Sequence, residues 1–259
     1  LGGQRRMLSI FFSDLEGFTS ISEGLSPEAL TAFLNEYLSA MTRIIHQEGG
    51  TVDKYEGDAI IAFWNAPLEV QDHATRAVQA ALRCQKKLAQ MRPDFRSRMN
   101  QEIIVRIGVN TGPAVVGNLG SDTRFDYTML GDSVNLASRL EGANKVFGTH
   151  TMISDNTRKE AGGAFSFREL GCIRVSGRKD PVTVFEPMPK EMFSARNDLF
   201  ETFYMGLNLF YKGDFGQAAT YFSSIEDVDP AAGAYAAKCR SLSETPPADW
   251  DGIWSLTEK

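Results

Sequence analysis

The first 190 residues of the chain contain several short apolar runs and a few longer amphipathic segments. Residues 7–13 form an apolar run that ends abruptly at Asp14, which is typical of a buried strand. Ser26 and Pro27 then provide an N-cap and a first helical residue. Apolar residues recur from there with helical spacing until the glycines at 49–50, so we predict an amphipathic helix packed on a sheet.

The next segments predict a hairpin followed by a mixed series of strands and helices. Two β-rich runs, 51–55 and 59–64, flank the link Glu56-Gly57-Asp58, which is a hairpin signal. Strands and helices do not alternate regularly, and this favours an α+β fold over a doubly wound parallel sheet. The further predicted strands are 103–110, 114–119, 125–130, 151–153, 165–170, 173–175 and 183–185, and the further helices are 72–91 and 132–146.

The pattern changes after residue 189. We expect two units, with residues 1–189 as the main domain and residues 190–259 as a helical extension without strands. Glycine and aromatic positions in the extension resemble a tetratricopeptide helical hairpin, although its length suffices for only about two hairpins, fewer than such arrays need alone. We therefore expect the extension to pack on the main domain or on a partner, and a generic helical extension is the alternative.

The composition of the chain indicates which partners and which cellular environment to expect. The 259 residues carry a net charge of −6 with a pI near 5.2, which argues against a nucleic-acid partner. Three scattered cysteines without metal-ligand spacing suggest a reduced, cytoplasmic environment. No apolar run reaches the length of a membrane helix. The chain begins at Leu1 rather than Met, so we expect it to be a piece of a longer protein.

Two acidic residues, Asp14 and Asp58, are candidate metal ligands. Asp14 ends a buried strand and Asp58 lies in the hairpin turn, and these two places can be neighbours in a sheet. Two carboxylates there could bridge two hard cations such as Mg²⁺, as in phosphoryl chemistry. The alternative is that each residue only ends a strand or fills a turn. Gly17 would let a ligand approach the backbone, and a helix opening at residue 18 would present free N–H groups to an anion.

Three polar motifs occur in order along the chain. The motifs are FFSDLEGFT at 11–19, GTVDKYEGDA at 50–59 and FDYTMLGDSVNLASRL at 125–140. This set resembles the motifs of class III adenylyl and guanylyl cyclases, over about residues 5–187 and at the right intervals. The resemblance implies a ferredoxin-like, palm-type sheet, rich in antiparallel strands, with helices on one face.

The resemblance assigns the first residues to metal and phosphate binding. Asp14 and Asp58 would bind two divalent ions, Mg²⁺ or Mn²⁺, with the carbonyl of Leu15 as a further ligand. The backbone groups of Phe18 and Thr19 would contact the terminal phosphates of ATP. The implied reaction is in-line attack of the ribose 3′-hydroxyl on the α-phosphorus, giving cyclic AMP and pyrophosphate.

The resemblance also assigns residues to the base and to the transition state. Lys54 would donate to adenine N1 and Thr128 would accept from the exocyclic amine. Guanylyl cyclases of the family typically place Glu and Cys at these positions, so a guanylyl cyclase is the less favoured alternative. Asn135 and Arg139 share a face of a predicted helix, and would orient the ribose and stabilise the five-coordinate phosphorus.

One position departs from the family pattern. Ser176 stands where relatives often carry a phosphate-binding Lys, and Arg178, Lys179 or Arg124 are the candidates to supply that charge instead. This departure leaves open a second function, a weak or inactive nucleotide-binding module that serves dimerisation or regulation. The intact acidic pair and the Asn135–Arg139 pair favour the active enzyme.

The resemblance implies a homodimer. In the family, metal-binding residues of one subunit face base-binding and transition-state residues of the other, and this chain carries both sets. A symmetric dimer would therefore hold two equivalent shared sites, and a monomer should be inactive. Relatives with similar tails often follow a sensor and membrane segments, so we expect a cytoplasmic domain and, for the parent protein, an anchor in the inner membrane.

Overall fold

A mixed β-sheet organises the chain, whose computed structural model describes residues 2–256. Within these residues the strand order is β2-β3-β1-β4-β6-β8-β7-β9, and β5 also pairs with β4. All pairings are antiparallel except β4 with β6 and β7 with β9. The strands are β1 (Gly2–Leu15), β2 (Thr51–Glu56), β3 (Ala59–Trp64), β4 (Val105–Gly120), β5 (Phe125–Leu130), β6 (Thr151–Ser154), β7 (Ser166–Arg174), β8 (Val182–Met188) and β9 (Trp254–Ser255).

The long helix that begins at Pro27 starts where its cap predicts. The hydroxyl of Ser26 accepts a hydrogen bond from the backbone N–H of Ala29 at 3.2 Å, so the predicted N-cap is confirmed. The helices are α1 (Phe18–Glu23), α2 (Pro27–Gln47), α3 (His73–Met99), α4 (Asp132–Phe147), α5 (Asp155–Ala161), α6 (Lys190–Ala195), α7 (Asn197–Tyr211), α8 (Phe215–Ser223) and α9 (Pro230–Glu244), with a 3₁₀ turn at Gly162–Ala164.

Helices cover both faces of the central strands. Successive side chains of a strand point to opposite faces. Phe11 and Leu15 of β1 pack with α2 and α3, whereas Leu8 and Ile10 pack on the other side with α4. The α+β class and the antiparallel-rich sheet are confirmed, but we predicted helices on one face only. The reason for the difference is that β1 is apolar on both sides, so both sides must be buried.

The strand β4 is longer than predicted. We predicted two strands around a turn at residues 111–113, and this was wrong, because β4 runs through that segment and pairs with all 14 residues of β1. Gly112 lies opposite Leu8, and a Cβ on it would come within 2.4 Å of the Ser133 hydroxyl. The glycine therefore permits close packing of α4 on the strand and makes no turn. In the same way β7 joins two predicted strands through an irregularity between Glu169 and Gly171.

The segment after residue 189 packs on the far edge of the sheet. Aromatic residues of α7 and α9, such as Phe203, Phe210 and Tyr235, share a hydrophobic core with Phe147 of α4 and Ile173 of β7. We expected no strand in this segment, but β9 pairs with β7. The division at residue 189 and the likeness to a tetratricopeptide hairpin stay predictions. Among the helices of residues 2–256, none combines the length and apolarity needed to cross a membrane.

Candidate active site

The structure brings the two predicted acidic residues together. Asp14 is the penultimate residue of β1, and Asp58 lies in the turn between β2 and β3, next to β1 because β1 pairs with β3. The backbone N–H of Leu15 donates to Asp58 Oδ2 at 2.8 Å. The Asp58 residue is only 6% exposed, whereas Asp14 is partly buried. The strand pairing itself therefore sets the spacing of the two carboxylates.

These carboxylates carry negative charge that the chain does not balance. The pKa of Asp14 is raised to about 7, mainly by burial, then by the hydrogen bond and negative charge of Asp58, and then by the charge of Glu141. Arg106 opposes these effects only in part. A divalent cation between the carboxylates would favour their charged forms, so the residues fit a metal site.

The donor set fits Mg²⁺ or Mn²⁺ bound together with a substrate. Among residues 2–256, no group of three or more His, Cys, Asp or Glu side chains is arranged to hold a metal. Magnesium commonly takes only one or two carboxylates and completes its octahedral shell with phosphate oxygens and water. The acidic pair is therefore suited to ions that arrive with a triphosphate.

Two charged residues beside the acidic pair were missed from the sequence. Arg106 of β4 lies opposite Asp14 in the strand register, and its Nε donates to Glu141 of α4 at 3.0 Å. Both side chains are 15% exposed. A charged residue inside the apolar run 103–110 was the available signal for Arg106. Glu141 has no such signal, because only the packing of α4 on β4 brings it here.

The predicted anion-binding turn follows the acidic pair. Gly17 adopts a left-handed conformation with φ of 67°, which glycine tolerates best, and α1 begins at Phe18. Phe18 is partly buried and Thr19 is exposed in the first turn of this helix. The prediction that a helix opens at residue 18 is confirmed, and first-turn backbone N–H groups lack partners within a helix.

The two predicted base-binding residues meet through a third residue. Thr128 of β5 donates its hydroxyl hydrogen bond to Asp53 Oδ2 at 2.6 Å, and the Lys54 ammonium lies 3.7 Å from Asp53 Oδ1. The register of β2 against β3 shifts between Val52 and Lys54, so Asp53 is the extra residue of a β-bulge. We did not predict Asp53, although it precedes Lys54 in the second motif.

The helix α4 presents the remaining predicted pair. Asn135 and Arg139 line a cavity of about 350 Å³ together with Ser176 and Val175. The two side chains are four residues apart, so they share one face of the helix. Ser176 therefore lies at the same cavity as Asn135 and Arg139, but its side chain carries no charge.

The three candidates for a substitute cation lie in different surroundings. Arg178 forms an ion pair with Asp132 at 2.9 Å, at the start of α4, so its charge is already engaged. Arg124 lies in the exposed turn between β4 and β5, where its backbone bonds with Ser121. Lys179 is exposed. No hydrogen bond or ion pair within residues 2–256 joins any of these three side chains to another predicted site residue.

Comparison with known proteins places this geometry in a family. The family described as "Adenylate and Guanylate cyclase catalytic domain" matches residues 3–186. "Adenylate cyclase 1" of Rhizobium meliloti is 37% identical over 182 residues, which are 70% of this chain and 27% of that protein. An adenylate cyclase of Anabaena cylindrica is 34% identical over 189 residues, which are 70% of this chain and 36% of that protein. The chain thus spans about a quarter to a third of these relatives.

Solved structures of both nucleotide specificities are similar to the chain. The adenylyl cyclase CyaB from P. aeruginosa is 38% identical with a TM-score of 0.69, over 73% of this chain and 97% of that one. The guanylyl cyclase Cya2 is 37% identical with a TM-score of 0.67, over 73% of this chain and 95% of that one. Overall likeness therefore does not separate the two activities. The chain belongs to the adenylate and guanylate cyclase catalytic domain family.

Proposed function

We propose that the chain is an adenylyl cyclase that converts ATP into 3′,5′-cyclic AMP and pyrophosphate. The observation that carries the proposal is the joining of Lys54 and Thr128 through Asp53, because the similar structures include both specificities. A lysine can only donate hydrogen bonds, and adenine N1 is an acceptor. Guanine carries a hydrogen on N1, so a lysine at this place disfavours GTP.

The acidic pair supports the same proposal from the phosphate side. Asp14, Asp58 and the carbonyl of Leu15 would hold two Mg²⁺ or Mn²⁺ ions, which supply charge neutralisation of the triphosphate and a lower pKa of the ribose 3′-hydroxyl. The backbone N–H groups of Phe18 and Thr19, in the first turn of α1, would donate to phosphate oxygens. The chain's part in this in-line reaction is mainly to position the groups and stabilise charge.

The remaining residues act on the ribose and the α-phosphate. In the proposal, Asn135 orients the ribose and Arg139 donates to the oxygens of the five-coordinate phosphorus. Arg139 and Glu141 are two residues apart on α4, so their side chains point about 200° apart around the helix axis. Glu141 contacts Arg106, which lies opposite Asp14 in the strand register, whereas the Arg139 guanidinium lies beside Gly177 in the segment between β7 and β8. This orientation supports a site completed by a second copy of the chain.

Exposed apolar side chains support the homodimer as well. Val115 and Leu130 are directly paired across β4 and β5 and are 39% and 60% exposed. Phe125 at the start of β5 and Tyr55 beside Lys54 are 56% and 45% exposed. In the proposed dimer these side chains would be covered by the second copy, with each site shared between the subunits.

A product assay tests the activity. The purified chain with ATP and Mg²⁺ or Mn²⁺ should form cyclic AMP, and GTP should form far less cyclic GMP. Chelation of the divalent ions should stop the reaction. Equal or greater turnover of GTP would favour a guanylyl cyclase, and absence of any product would favour the inactive module that Ser176 leaves open.

A mixing experiment tests the shared site. Asp58→Ala and Arg139→Ala should each be inactive alone, because each variant damages both sites of its homodimer. Random exchange of subunits should restore about a quarter of the wild-type activity, since half of the dimers would be mixed and each mixed dimer would hold one intact site. If mixed dimers form and the sample stays inactive, the shared-site proposal is wrong.

A further inference from the structure

Asp53 is a buried carboxylate placed by a backbone irregularity. Neighbouring side chains of a regular strand point to opposite faces, so an aspartate and the next lysine would not meet. The bulge at Asp53 brings its side chain to the same side as Lys54, with 3.7 Å between the charged groups. The Asp53 side chain is only 3% exposed, while that of Lys54 is 39% exposed. The Asp53 carboxylate is thus buried, while the neighbouring Lys54 is accessible to solvent or to a ligand.

The hydrogen bond between Thr128 and Asp53 uses the one hydroxyl proton of Thr128. A threonine hydroxyl has one proton to donate and two lone pairs to accept with. Thr128 Oγ1 lies 2.6 Å from Asp53 Oδ2. Because an ionised carboxylate has no proton to donate, Thr128 is the donor of this hydrogen bond. Toward any further neighbour, Thr128 therefore presents lone pairs.

The second oxygen of the carboxylate constrains Lys54. Asp53 Oδ1 is buried and has no hydrogen-bond partner among residues 2–256, and the Lys54 ammonium is the cation beside it. An ammonium has three hydrogens, so one can turn toward Asp53 and another toward a base. Asp53 thereby restricts the position of a side chain that would otherwise rotate freely in solvent.

We infer that Asp53 is a positioning residue that sets the choice of purine, and this inference rests on the proposed cyclase function. By holding the hydroxyl proton, Asp53 makes Thr128 an acceptor, which matches the 6-amino group of adenine. By holding Lys54, it directs a donor to the unprotonated N1. Guanine presents an acceptor O6 to the Thr128 lone pairs and an N1 hydrogen to the Lys54 ammonium, so both contacts would be mismatched.

The main test is Asp53→Asn, which keeps the shape of the side chain. The amide has one oxygen where the carboxylate has two, so it can accept either at the position facing Thr128 or at the position facing Lys54, and one constraint is lost. We expect the ratio of kcat/KM for ATP to that for GTP to fall at least about 10-fold, because a site that fails to satisfy both hydrogen bonds discriminates less. Asp126→Asn, an exposed carboxylate two residues from Thr128, removes the same charge and should leave the ratio unchanged.

A double variant and a binding measurement separate positioning from a general structural effect. In a Thr128→Val background, Asp53→Asn should change the ratio less than it does in the wild type, because the hydroxyl that Asp53 orients is gone. Binding of 3′-deoxy-ATP and 3′-deoxy-GTP, which lack the attacking hydroxyl, should show the same loss of preference without turnover. Thermal unfolding of each variant gives the folded fraction.

The outcomes distinguish this inference from the proposed function. If the wild type forms cyclic AMP and Asp53→Asn keeps its preference for ATP within about twofold, the role of Asp53 is overturned and the cyclase stands. If the wild type forms no cyclic nucleotide, the proposed function fails, and the deoxynucleotide preference still decides the role of Asp53. Equal losses of preference in Asp126→Asn and Asp53→Asn would also overturn it, because net charge would then be the cause.

Discussion

The two ends of one hairpin use buried aspartates in opposite ways. At the turn between β2 and β3, Asp58 lies beside Asp14, and the pKa of Asp14 rises to about 7 through burial and then through Asp58. At the start of the same hairpin, Asp53 is also buried, but it has Thr128 and Lys54 as partners. The acidic pair has a second carboxylate as its neighbour, whereas Asp53 has a hydroxyl donor and an ammonium group beside it, which oppose the rise of its pKa on burial.

In the proposed function, this difference follows from the ligand at each end. Phosphates and divalent ions bring large charges of their own, so a surplus of negative charge in the free protein is useful there. A purine base is neutral, so its site works through the direction of hydrogen bonds, and these directions must be set before the base arrives. Variants at and around both ends of the hairpin test this contrast.

Asp58→Asn should reduce kcat by at least about 10³-fold, because the acidic pair would lose the charge that holds the metal ions. The amide oxygen can still accept from the Leu15 N–H, and the repulsion with Asp14 disappears, so the midpoint of thermal unfolding should not fall. Cyclic AMP production and thermal unfolding measure the two effects, with Asp126→Asn as a control. Substantial activity in Asp58→Asn would show that the acidic pair does not bind the metals.

The double variant Lys54→Glu with Thr128→Cys should lower kcat/KM for ATP about 100-fold, because both contacts with adenine are lost. It should gain little activity with GTP, since the introduced glutamate would face the buried carboxylate of Asp53. Adding Asp53→Asn should relieve this repulsion and raise GTP turnover. Steady-state kinetics of the double and triple variants with ATP and with GTP test this prediction. Efficient GTP turnover by the double variant, in which Asp53 is intact, would contradict the expected repulsion.

Gly177→Ala should lower kcat about 10-fold by displacing Arg139. A Cβ on Gly177 would come within 2.9 Å of Arg139 Nη1, and its φ of +73° is unfavourable for alanine. Gly163→Ala is the matched control, because nothing lies within 4 Å of its Cβ position. Steady-state kinetics of both variants test this prediction, and an unchanged kcat in Gly177→Ala would show that this loop does not position Arg139.

Arg178→Ala should change KM for ATP less than about threefold, because its charge is engaged by Asp132 rather than by a substrate. The pair is partly exposed, so its loss should lower the free energy of unfolding by no more than about 1 kcal/mol. A rise of KM by tenfold or more would instead show that Arg178 replaces the lysine absent at Ser176. ATP titrations at constant metal concentration measure this.

Local patterns predicted the elements of the site better than its contacts. The hairpin turn at Asp58 and the cap at Ser26 depend on neighbours in sequence, and both are found where predicted. The strand predicted over 7–13 is present but longer, because β1 runs from Gly2 to Leu15. The turn expected at 111–113 was wrong, because the glycine there serves packing against Ser133, which is distant in sequence. A glycine in the sequence can indicate either a turn or close packing, so the residue type alone did not decide between the two.

Three residues of the candidate site were not predicted because their contacts join segments that are distant in sequence. Arg106 and Glu141 meet only because α4 packs across β4, and Asp53 reaches Thr128 only because a bulge in β2 turns it toward β5. These partners are 35 and 75 residues apart along the chain. Periodicity reports the environment of each residue separately, so it holds no information about such pairs.

The amino-acid sequence alone was enough for the α+β order, the three motifs and the positions of their polar residues, because turns, caps and strand ends depend on short-range chemistry. The three-dimensional structure was needed to establish that helices cover both faces of the sheet, that Asp58 accepts from the backbone beside Asp14, and that Asp53 links Lys54 with Thr128. Those outcomes depend on strand register and helix packing, which are settled by burial over the whole chain.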